Sequence, residues 1–217
     1  MSIKKLLSGL VLLFCIILLG ACSPRTERPT TKETAKQKLI GKISSDYDNP
    51  DLHYQLGKLH QSDGLWFQAE HEFRVALYND PAHRPSQAAL VRILLDSGQS
   101  AKAKESAKFF MDFASPSETA TLELGIAFQD ENLDDYALAC YQKALNMSPA
   151  SARVNKQLGF FYLKKGDKEN AKKYLITSFN ANPYQPDVAG ELGRLGVAIQ
   201  AAPQSQTKPA VQPQTQK

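Results

Sequence analysis

The chain has 217 residues, 42% of them hydrophobic, and a formal charge of +4. That length suits one mid-sized domain with tails, and the composition permits a packed core. The charge excess sits in the flanks. Between residues 51 and 200 acidic side chains slightly outnumber basic ones. That balance argues against a nucleic-acid binder, which concentrates basic charge on one face.

Residues 1–22 open with Lys4 and Lys5, continue through an apolar run from Leu6 to Leu19, and close on Leu19-Gly20-Ala21-Cys22. A charged start, a short apolar run and small residues are the parts of a secretory signal. The run is short for a membrane-spanning helix, which needs about 20 apolar residues. The last four residues resemble the bacterial lipobox. The resemblance implies cleavage after Ala21, acylation of Cys22, and a lipid-anchored envelope protein. Ser23 follows where enterobacterial lipoproteins retained at the inner membrane carry Asp, so the resemblance favours the outer membrane, facing the periplasm. Cys15 would leave with the signal, and Cys140 would be a small buried hydrophobe. No intrachain disulfide is then expected.

Residues 22–31, with two prolines and several polar side chains, read as a flexible linker. Residues 32–49 read as an N-terminal helix, with Ala35, Leu39, Ile40 and Ile43 near helical spacing. From residue 50 a frame of 34 residues repeats. Gly57, Gly125 and Gly159 share one position, with Val91 in their place in the second copy. Ala69, Ala103, Ala137 and Ala171 share another, and Pro81, Pro149 and Pro183 close their copies. The second copy is the least faithful, since Phe110 stands where alanine is usual. Turns fall at Asp63-Gly64 and Asn132, and Gly166 keeps the frame in the fourth copy. A period of this size signals stacked helix pairs.

These residues resemble the tetratricopeptide repeat (TPR) family over roughly residues 50–200. The resemblance implies an all-α, right-handed solenoid of four repeats: 50–83, 84–117, 118–151 and 152–185. Residues 186–200 would be a capping helix, since an array's end must cover its apolar seam. Residues 201–217, rich in Gln and Pro, read as a disordered tail.

Catalytic chemistry finds little support. No phosphate-cradling glycine loop or nucleophile–base pattern stands out. The four histidines, His53, His60, His71 and His83, lie in or beside the first repeat. A metal-dependent enzyme built on them is the alternative of another class, but His53 and His60 are seven apart and fall where repeat helices pack. Asp130, Glu131, Asp134 and Asp135 lack the glycine and spacing of a calcium loop, and read as a solvated turn. Lys164, Lys165, Lys168, Lys172 and Lys173 read as solvated too. No cofactor, metal or catalytic residue is expected.

By resemblance, the first helices of the repeats line a concave groove that binds proteins. Its residues here would be Tyr54 and Lys58; Ala88, Arg92 and Leu95; Leu122, Ile126 and Gln129; Lys156, Phe160 and Lys164; and Arg194. That mixture suits an extended or helical segment with some acidic character. The expected function is a non-enzymatic, lipid-anchored periplasmic scaffold. TPR lipoproteins of this kind aid pilus and secretin assembly, including type IV and Tad systems. Others serve polysaccharide export or recruit cell-wall enzymes.

Overall fold

The computed structural model describes residues 31–198, so the expected signal peptide, Cys22, the linker up to Thr30 and the tail from Ala201 lie outside the described residues. Among the described residues, 31–38 fall in one unit and 39–198 in another. The described residues form ten helices and no strand. They are α1 (Thr31–Ser45), α2 (Pro50–Ser62), α3 (Trp66–Asn79), α4 (Arg84–Asp96), α5 (Ser100–Ala114), α6 (Glu118–Asp130), α7 (Asp134–Met147), α8 (Ala152–Lys164), α9 (Lys168–Ala181) and α10 (Pro186–Arg194). The fold is an all-α array of helix pairs with TPR architecture.

Local chemistry sets the helix ends. The helices α2, α4, α6, α8 and α10 each start one 34-residue period after the last. Asn49 caps α2, Ser117 caps α6 and Ser151 caps α8, each side chain accepting a first-turn backbone N–H. Between the helices of each pair one residue adopts positive φ: Gly64, Gly98, Asn132 and Gly166. Asn132 is the non-glycine among them, at φ 56°, a conformation asparagine tolerates better than most residues. Gly196, at φ 73°, ends α10 earlier than the sequence suggested; Val197 N–H then donates to the Leu192 carbonyl at 2.9 Å.

Packing within a pair depends on one small residue facing one large residue. A Cβ on Gly57 would lie 2.5 Å from the Phe73 ring. At Gly125 it would lie 2.7 Å from Tyr141, and at Gly159 2.5 Å from Leu175. Phe73, Tyr141 and Leu175 are fully buried and occupy equivalent positions one or more periods apart. The second repeat inverts the arrangement. Val91 replaces the glycine, and Ala107 stands where Phe, Tyr or Leu stands elsewhere. Both are fully buried in the main core. The pair α4–α5 makes less extensive contact than the other three, and α4 also packs against α3 and α6. This explains why α4 is buried so widely: Ser86, Gln87, Ala88, Ala89, Leu90 and Val91 are all inaccessible.

A second register is polar. His53, Gln87, Thr121 and Asn155 are each one period apart and buried. Each reaches back to a carbonyl of the preceding connection. His53 Nε2 lies 2.8 Å from the Tyr47 carbonyl, and Gln87 Nε2 donates to Pro81 at 2.6 Å. Thr121 Oγ1 donates to Ala114 at 3.1 Å, and Asn155 Nδ2 to Pro149 at 2.9 Å. A buried carbonyl without a partner costs free energy, so these side chains let the connections tuck against the array.

Both ends of the core are covered. Leu39 and Ile43 of α1 join Leu52, Leu56 and Leu59 in a separate cluster. Val188 and Leu192 of α10, fully buried, close over Leu175.

Candidate functional site

The predicted groove residues separate into three kinds. Ile126, Phe160 and Lys164 present side-chain surface on successive first helices of the third and fourth repeats. Ile126 rests on the main core, and Phe160 on the cluster around Leu175 and Leu192. Leu95 is similarly half-buried against the main core. Ile126, Phe160 and Leu95 are thus apolar side chains with a supported base and an open face, and Lys164 adds an exposed charge beside them.

Leu122 does not belong with them. It is 1% exposed and sits in the core, as does Ala88 at 0%. The helices α4 and α6, which carry these two residues, pack directly against each other. The expected groove floor at the second repeat is therefore filled by packing.

The polar residues are committed within the chain. Gln129 Oε1 accepts from the Tyr141 hydroxyl at 2.6 Å, which fixes a core ring. Burial, the first cause, and nearby Asp130 hold the Tyr141 phenol well above its ordinary range. Arg92 pairs with Asp96 at 2.6 Å one helical turn away. Lys156 pairs with Asp187 of α10, and Arg194 with Glu191. Lys58 Nζ donates to both carboxylate oxygens of Glu131, at 2.9 and 2.8 Å. These four cations of the expected groove thus already hold carboxylates of the chain, so much of its basic charge is balanced internally. The sequence could not show this, since Lys58 and Glu131 are 73 residues apart.

Tyr54 joins the same cluster. Glu131 is among the groups that act on its phenol, and its ring lies 6.0 Å from Phe73 and 5.8 Å from His83. Burial, then the charges of Glu131 and Asp130, push its phenol up to about 12.

Two of the histidines, His53 and His83, are held within the fold. His53 Nδ1 lies 2.7 Å from Glu72, while its other nitrogen faces the Tyr47 carbonyl. His83 Nδ1 lies 2.7 Å from Ser86 Oγ, and Nε2 3.1 Å from Asp51. Both rings are thus held at both nitrogens. Cys140 is buried, and burial pushes its thiol up to about 12, the opposite of a reactive cysteine. One feature escaped the sequence reading: a cleft between α3 and α5, floored by Leu77, Leu90 and Phe110 and flanked by exposed Tyr78 and Phe109.

Comparison with known proteins agrees with the helix-pair frame. Residues 152–185, the fourth repeat, match the family model described as Tetratricopeptide repeat. No curated protein matches the chain. Among solved structures it is similar to MamA 41-end from Desulfovibrio magneticus RS-1, with 20% identity, 85% of this chain and 98% of that one covered, and a TM-score of 0.38. It is similar to YrrB, titled a TPR protein with an unusual peptide-binding site, at 18% identity, 75% and 84% coverage and a TM-score of 0.40. It is also similar to Pseudomonas aeruginosa pilF, at 26% identity, 69% and 68% coverage and a TM-score of 0.39. At these scores the superpositions carry no argument about function.

Proposed function

We propose that this protein is a non-enzymatic scaffold, anchored to the bacterial outer membrane through acylated Cys22 and facing the periplasm. Its helix array binds a partner protein and aids assembly of an envelope complex, with a type IV or Tad pilus or secretin system as the specific reading. The observation that carries the binding role is the pair of supported, open apolar side chains on the third and fourth repeats, Ile126 and Phe160, with exposed Lys164 one turn on from Phe160. Arrays of helix pairs use such faces for extended or helical segments of other proteins. The anchoring role rests on residues 1–22, whose charge, apolar run and Leu-Gly-Ala-Cys ending fit lipidation. Several acyl chains would hold the protein firmly, where one alone binds only marginally.

Two measurements test the two halves separately. Cys22→Ala abolishes acyl labelling and membrane retention if the anchor reading is right; persistent retention removes it. Ile126→Glu with Phe160→Glu abolishes co-isolation of the partner while helical circular dichroism stays unchanged. Undiminished co-isolation by that folded variant would move binding to another surface. A partner from polysaccharide export or cell-wall synthesis would keep the scaffold and change the pathway.

A further inference from the structure

The Lys58–Glu131 pair joins the first helix of the first repeat to the end of α6, spanning the second repeat. Its two halves differ in their access to water. The Lys58 side chain is 38% exposed, whereas Glu131 is 7% exposed. Lys58 therefore has a hydrated alternative if it turns outward, and Glu131 has none. The carboxylate sits at the C-terminal end of α6, where the helix dipole favours positive charge. Asp130 beside it adds negative potential, and the nearby Tyr54 phenol, itself held protonated by burial and these carboxylates, brings no charge. A buried carboxylate left without a cation would be strongly destabilised. Whatever displaces Lys58 must therefore bring a cation.

We propose that the Lys58–Glu131 pair is an autoinhibitory contact on the inner face, and that a lysine or arginine side chain of the partner replaces Lys58 at Glu131 and Tyr54. This deepens the scaffold reading and rests on it. It assigns the partner a basic residue, opposite to the sign suggested by the groove's lysines and arginines alone. The replacement is an exchange of like for like at one carboxylate, so the array keeps its buried charge paired throughout. The apolar surface of Ile126, on the same helix as the Glu131 cap, would receive the adjacent part of the partner's segment.

The test uses the folded protein and defined probes, so it does not depend on finding the partner. Lys58→Ala vacates the site. Added n-butylammonium chloride, compared with sodium chloride at equal ionic strength, should raise the thermal midpoint of Lys58→Ala in a saturable way. It should leave wild type and the double variant Lys58→Ala/Glu131→Gln at the sodium chloride baseline. Tetralysine should bind Lys58→Ala about tenfold more tightly than wild type, the penalty of competing with the internal lysine, and the double variant at least tenfold more weakly than Lys58→Ala. If Lys58→Ala does not fold, Lys58→Met keeps the packing of the stem and takes its place in the tetralysine comparison. Equal tetralysine affinity in wild type and the Lys58 variant, or no loss on removing Glu131, would overturn the proposal. Loss of the groove partner in cells with butylammonium rescue intact would instead count against the scaffold reading alone.

Discussion

Gly125→Ala separates two opposed effects at one atom. Glycine inside a helix is less favourable than alanine by about 1 kcal/mol, so propensity alone makes the substitution stabilising. The added Cβ would lie 2.7 and 2.8 Å from two carbons of the Tyr141 ring and 3.0 Å from the Cys140 Cβ. Reaching ordinary contact requires the ring to retreat by roughly 1 Å, since carbon atoms attract best near 3.5–4.0 Å. Tyr141 has nowhere to go: it is fully buried, its hydroxyl is held by Gln129 at 2.6 Å, and Phe161 packs edge-on against it. Overpacking of such a site costs about 1–3 kcal/mol. Set against the propensity gain, the net is a loss of up to about 2 kcal/mol, visible as a lower urea midpoint with unchanged slope. Gly190→Ala in α10 is the control, because its added Cβ meets nothing within 4 Å. It should raise stability by up to about 1 kcal/mol. If Gly125→Ala is also stabilising, the helix pair adjusts its spacing freely and the packing account of the glycines is wrong.

The second repeat yields the complementary test. Val91→Gly should cost on the order of 3 kcal/mol from cavity and glycine terms together, and adding Ala107→Phe should recover part of that loss in urea titrations. No recovery would show that the small–large exchange is not what sets the α4–α5 packing. Alkaline pH tests the buried acids. The folded pKa values of Cys140 and Tyr54 are raised to about 12 by burial, above the unfolded values near 8.5 and 10. Their contribution is fully present below the unfolded values and is lost as pH rises through the folded ones, so the urea midpoint should fall progressively between about pH 9 and 12. Cys140→Ala should remove the earliest part of that fall, and a flat profile would contradict the assigned burial. In the buried polar register, Asn155→Leu removes the donor to the Pro149 and Ser151 carbonyls and should cost about 1–3 kcal/mol by urea titration; a neutral change would mean those carbonyls find water.

The helix frame was legible because it rests on residues whose size or φ is constrained by short-range geometry. Gly57, Gly125 and Gly159 mark close crossings, and Gly64, Asn132 and Gly166 mark turns. Val91 read as a defect for want of its partner: the compensation lies at Ala107, sixteen residues on, and has meaning only when the two helices are paired. The buried register of His53, Gln87, Thr121 and Asn155 was hidden differently. Four dissimilar side chains share a position and a job, reaching a backbone carbonyl, so no residue type repeats. Of the groove, Ile126 and Phe160 were readable as apolar residues at the inner register. Leu122 was not distinguishable from them, because its burial follows from how near α4 comes to α6. The charges misled most. Counting Lys58, Arg92, Lys156 and Arg194 gave a basic face, while Glu131, Asp96, Asp187 and Glu191 meet them from turns and neighbouring helices.

The central claim is that the inner face of the third and fourth repeats holds a partner protein at the cell envelope. Photocrosslinking in living cells from Ile126 and from Phe160, followed by mass spectrometry, addresses it most directly. The account predicts one shared adduct from both positions, an envelope-assembly protein, and none from exposed Gln142 on the second helix of the third repeat. An expressed, folded protein that gives no position-specific adduct at Ile126 and Phe160, or the same adducts from Gln142, would contradict it.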